Sequence, residues 1–106
     1  MSTQSFPLDA FSRSPMAVPP LARTAAGEID EAGNAAIIRH LEAGGIELLL
    51  YGGNAVLYHL PLGEYQPLLE MLARLPAERS VVVPAVGPTY GLMMEHARML
   101  RGTPFA

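Results

Sequence analysis

Three apolar runs, each cut short by glycine or proline and each followed by a segment of helical period, constrain this chain most. MAVPPL (16–21), IELLLY (46–51) and SVVVPAV (80–86) begin 30 and then 34 residues apart. The first closes on Pro19 and Pro20, the second on Gly52 and Gly53, the third on Gly87 and Pro88. Nearly continuous apolar runs suit strands buried on both faces, and β-branched valine favours them further.

The intervening segments read as helices. Asp30 is a predicted N-cap with Glu31 in the first turn, near the positive end of the helix. Through EAGNAAIIRHLEA, Ala35, Ile38 and Leu41 share one face with Ile37 beside them, and Gly44 and Gly45 supply the stop. EYQPLLEMLARL (64–75) spaces Tyr65, Leu69 and Leu72, and also Leu68, Leu72 and Leu75, at helical intervals. Pro67 is awkward there: it is tolerated within the first turn, and deeper in it would kink the helix. YGLMMEHARMLRG (90–102) places Met93, Ala97 and Leu100 on one side, with Gly102 as the stop. Met93, Met94 and Met99 are expected to pack that helix on the sheet.

Strand and helix therefore alternate three times. Right-handed crossovers make the sheet parallel and the fold class α/β. Proteins of this kind place ligands beyond the C-terminal ends of their strands, where the glycine-rich loops fall. The first fifteen residues are polar, carry two prolines and show no sustained period, so they read as an arm; 16–106 read as the folded domain.

Composition narrows the function. A chain of 106 residues, half of them apolar, is one small domain with a real core. Ten acidic residues against seven basic ones, with no basic block, argue against nucleic acid. No apolar stretch reaches the ~18 residues of a membrane span, and none at the N-terminus suits a signal peptide, so a cytoplasmic protein is expected. Cysteine is absent. All seven basic residues are arginine, so no Schiff base and no lysine general base can come from this chain. No metal site or cofactor is expected: His40, His59 and His96 lack the i, i+4 spacing of a helical zinc site.

The candidate site residues lie in the two later loops. Gly52, Gly53 and Asn54 fit either an anion cradle of backbone N–H groups or a turn that needs positive φ. Tyr58 and His59 share that loop, for acid–base work or for packing. Tyr90, just past Gly87, either reaches into the site or begins the next helix as a packing residue. His40 and His96 read as helix-surface or interhelical residues. None of these positions is assigned a catalytic role.

Taken in order, RHLEAGGIELLLYGGNA, LPLGEYQPLLEML and VVVPAVGPTYGLMMEHARML resemble the N-terminal third of the dihydrodipicolinate synthase / N-acetylneuraminate lyase family, over residues 14–102. The resemblance implies three βα units of a parallel (β/α)8 barrel, with a fourth strand beginning near Thr103 and a homo-oligomeric assembly. A whole barrel needs roughly 250 residues. The implied activity is that of an aldolase or lyase acting on a pyruvate-type 2-oxo acid through a lysine Schiff base. In the family the loop after the second strand reads Gly-Thr-Thr-Gly-Glu. Here Gly52 is kept, Gly53 and Asn54 stand for the threonines, and Val56 stands for the acid. Gly87 is kept in the third loop. The family's tyrosine relay and its lysine follow later strands, so this chain alone is expected to be inactive. The alternatives are a non-catalytic truncated barrel module and a small-anion-binding α/β domain of flavodoxin-like type.

Overall fold

The computed structural model describes residues 8–105; residues 1–7 of the expected arm lie outside them. Four helices and three strands follow in the order α1 (Ala10–Arg13), β1 (Met16–Ala17), α2 (Glu31–Ala43), β2 (Leu48–Tyr51), α3 (Leu62–Arg74), β3 (Val81–Pro84) and α4 (Tyr90–Leu100), with a 3-10 turn at Leu57–His59. The fold is α/β with a three-stranded parallel sheet in the order β1-β2-β3. Leu48 lies level with Met16 on one side and Val81 on the other. β1 is only two residues long, because Pro19 and Pro20 cannot donate to a ladder.

Strand alternation sorts the side chains onto two faces. Leu49, Tyr51 and Val82 join Ile38 of α2 and Tyr65, Leu68, Leu69 and Leu72 of α3 in the main core, with Met99 and Leu100 of α4 packed against it. Leu48 and Val81 form a second, smaller cluster with Ala10, and Val83 packs against it. So α2, α3 and α4 cover one face of the sheet, while the turn of α1 meets the other at its lower end. Each fully buried leucine contributes roughly 1.5–3 kcal/mol relative to exposure, so α3, which buries Leu68, Leu69 and Leu72 with Tyr65 and Met71, anchors the layer.

α2 begins as its sequence predicts, with the Asp30 carboxylate accepting the Gly33 N–H at 3.1 Å. It ends at Gly44, and Gly45 has φ 91°. Near its end, Glu42 is turned inward. Its carboxylate accepts the Ala77 N–H at 2.7 Å and the Ser80 hydroxyl, which ties α2 to the start of β3.

Two helices differ from expectation. α3 starts at Leu62, so Pro67 lies past the first turn; it is exposed there, and solvent can satisfy the Gly63 carbonyl that loses its partner. In α4 the inward side carries Leu92, His96, Met99 and Leu100; of the expected Met93, Ala97 and Leu100, only Leu100 packs on the core. Met93 and Met94 are more than a third exposed, and only Met99 of the three methionines packs on the core. His96 finds its partners inside. No helix among the described residues is long and apolar enough to cross a membrane.

Candidate functional site

The loop after β1 is not irregular. Arg23 and Ile29 form an antiparallel bridge, and Gly27, at φ 86°, turns the chain between them. Asn34 holds this hairpin down. Fully buried on α2, its side-chain amide donates to the carbonyls of Ala22 and Asp30 and accepts the Ala22 N–H at 2.7 Å.

After β2 the chain turns through Gly52, Gly53 and Asn54. The Gly52 carbonyl accepts the Leu57 N–H at 3.2 Å, and the Gly53 carbonyl accepts the Val56 N–H at 3.1 Å. Among the described residues, the N–H groups of Gly53, Asn54 and Ala55 have no carbonyl partner. Neither glycine has positive φ. The left-handed residue is Val56, at φ 57°, which opens the 3-10 turn. A Cβ at Gly53 would stand 2.6 Å from the hydroxyl at the far end of the exposed Tyr58 side chain, which would have to move aside. Asn54 donates one N–H of its side-chain amide to the Val18 carbonyl at 2.8 Å, so it links the second loop to the end of β1.

These two loops border an open cleft of about 540 Å³. Asn54 and His59 line it together with Leu21, Gly27, Ala55, Val56, Pro61 and the ion pair of Arg23 with Glu64. That pair is two-pronged, at 2.8 and 3.2 Å, and Arg23 also donates to the Gly27 carbonyl. The hydrogen bond from Arg23 holds the Glu64 carboxyl below its usual range, and the guanidinium is raised in return. Arginine 23, Asn34 and Glu64 escaped the sequence reading because their partners lie 12 to 41 residues away, with no local pattern to mark them.

The remaining candidates separate from this cleft. Tyr58 is exposed on the 3-10 turn, its ring edge-on to His59. Tyr90 begins α4 and is 74 % exposed, which places it neither in the cleft nor in the core. Gly87 is buried, at φ 91°, and its N–H points inward to His96 Nδ1 at 3.1 Å. Of the two places its sequence allowed, His96 takes the interhelical one: it is 1 % exposed and stacks on Tyr65 of α3. Tyr65 in turn donates its hydroxyl to the Ala85 carbonyl at 2.9 Å. Tyr51, also fully buried, has a hydroxyl with no hydrogen-bond partner among the described residues; burial first, and Glu42 second, push its pKa up to about 12.

Comparison with protein-family models, with curated proteins and with solved structures gave no match.

Proposed function

We propose that this chain forms three βα units of a barrel-type aldolase or lyase, and that the loop after β2 seats the carboxylate of a pyruvate-type 2-oxo acid. The observation that carries the reading is the winding. Strands that follow one another in both sequence and sheet, with α2, α3 and α4 on one face, are wound as in a barrel. A flavodoxin-like sheet has its first strand inside the order 2-1-3 and helices on both faces, so the winding weighs against that alternative. An apolar groove along the free edge of β1, lined by Ala17, Val18, Pro19, Ile37 and Leu41 among others, fits a neighbouring βα unit. The sequence resemblance supplies the substrate class.

Within this reading, the N–H groups of Gly53, Asn54 and Ala55 are the anion seat, standing in for the family's threonine hydroxyls. The Schiff-base lysine comes from elsewhere in the assembled enzyme, since this chain has none. That same lack of lysine favours a second reading, a non-catalytic module that binds a small anion. Titrating the [15N]glycine-labelled chain with pyruvate and with inorganic phosphate tests both. The 2-oxo acid reading expects the Gly53 resonance to move with pyruvate at concentrations where phosphate leaves it unchanged. A stronger response to phosphate favours the anion module, and no response to either contradicts both.

The open edges of β1 and β3 lead to the proposal that the chain associates with further copies or units. Sedimentation over a range of concentrations tests this, and a monomer throughout would contradict it.

A further inference from the structure

We propose that His96 is a positioning residue that fixes the loop after β3 through Gly87, and that one proton on its Nδ1 releases that loop. The inference concerns the chain's own loop and stands whether or not the 2-oxo acid reading holds.

The geometry allows only one state of the imidazole. Nδ1 accepts the Gly87 N–H at 3.1 Å, so Nδ1 carries no proton and the neutral ring bears its hydrogen on Nε2. That Nε2 is buried and has no hydrogen-bond partner among the described residues. The ring is locked in this pose by Tyr65, stacked at 3.9 Å and 16°. Tyr65 itself grips the same loop two residues upstream, at the Ala85 carbonyl. Histidine and tyrosine thus form one buttress beneath residues 85–87.

Protonation breaks this arrangement twice over. An imidazolium has two donors and no acceptor, so its Nδ1–H would face the Gly87 N–H. The added charge would also sit where no charged group among the described residues balances it. Tyr65, facing His96 from α3, is a neutral phenol whose pKa burial pushes up to about 12. Ala85 and Gly87 bring only backbone from the β3 side. On α4 itself, Glu95 and Arg98 pair with each other. Burial alone lowers the His96 pKa, with no contribution from a carboxylate or a guanidinium. Once the proton is taken up, the cheapest relief is for Gly87 to swing away and admit water. The loop is therefore set in neutral solution and released in acid.

Val86–Gly87 is the only valine–glycine step in the chain, so labelling with [1-13C]valine and [15N]glycine isolates the Gly87 amide in a two-dimensional NMR spectrum. The expected result is a Gly87 resonance that moves as pH falls below 6.5, the ordinary histidine value, with the same midpoint as the His96 ring carbon. The nine other glycines should hold still over that range. In His96→Asn, which keeps an acceptor near Nδ1 but cannot titrate, the Gly87 resonance should be flat. The proposal is overturned if Gly87 stays fixed while the His96 ring titrates, if it moves equally in His96→Asn, or if all ten glycines shift together. Should His96→Asn not fold, the comparison of the two midpoints in the unaltered chain decides alone.

Discussion

The rings of Tyr65 and His96 lie face to face, 3.9 Å apart and 16° from parallel, and each holds a different backbone group of the segment after β3. The pair joins α3, α4 and the sheet edge in one contact. Removing only the hydroxyl, in Tyr65→Phe, leaves the stack and frees the Ala85 carbonyl. The expected cost is about 1 kcal/mol. Tyr65→Ala also opens a cavity in the core and should cost about 3–5 kcal/mol. Urea unfolding measures both, and equal losses would show that the ring contributes nothing beyond its hydroxyl.

Acid should weaken the fold through the same pair. Burial holds the folded-state pKa of His96 below its ordinary 6.5, so the unfolded chain binds the proton first as pH falls. Stability is expected to be level from about pH 6.5 to about pH 9 and to decline below that range. Glu31 and Glu64, lowered chiefly by hydrogen bonds from Arg74 and Arg23, add a smaller decline at lower pH, where these carboxylates take up protons. Urea midpoints between pH 5 and 7 should slope in the natural chain and flatten in His96→Asn. A flat profile in both would contradict the assignment.

Asn34 is the support on which the first loop rests. Asn34→Ala would strand the Ala22 N–H, while the Ala22 carbonyl keeps the Asp30 N–H, for an expected loss of about 1–3 kcal/mol. Deuterium exchange should rise first across residues 21–30. Unchanged exchange there would mean that the Arg23–Ile29 bridge holds the hairpin unaided.

Val56 carries a β-branched side chain in the left-handed region, where steric cost is of order 1–3 kcal/mol. Its side chain is 49 % exposed, so little burial is lost on truncation. Val56→Gly is expected to raise stability by about 1 kcal/mol after the added freedom of the unfolded chain is offset. Thermal unfolding checks the sign, and a destabilised variant would show that the valine packs more than it strains.

The alternation of strands and helices was legible because each element carries its own period and its own stop. Asp30 capping α2, Gly45 ending it and the valines of β3 are all local signals. The site was less legible, because its parts are set by distant partners. Histidine on a helix reads as surface or interhelical by type, and only the Gly87 N–H and the Tyr65 ring show why His96 takes the interhelical place. Likewise Gly53 looks like a turn glycine, yet the positive φ falls three residues on, at Val56. Pro67 sits deeper in α3 than its sequence suggests because Leu62 and Gly63 already join the helix.

The most direct test of the proposed function is borohydride reduction of the protein from its own cells in the presence of pyruvate, followed by peptide mass analysis. The account expects a reduced pyruvate adduct on a lysine in a polypeptide that contains residues 1–106, and therefore at a position outside them. A native product that is this chain alone, with no lysine-linked adduct in anything bound to it, would contradict the aldolase reading and leave the anion-binding module in its place.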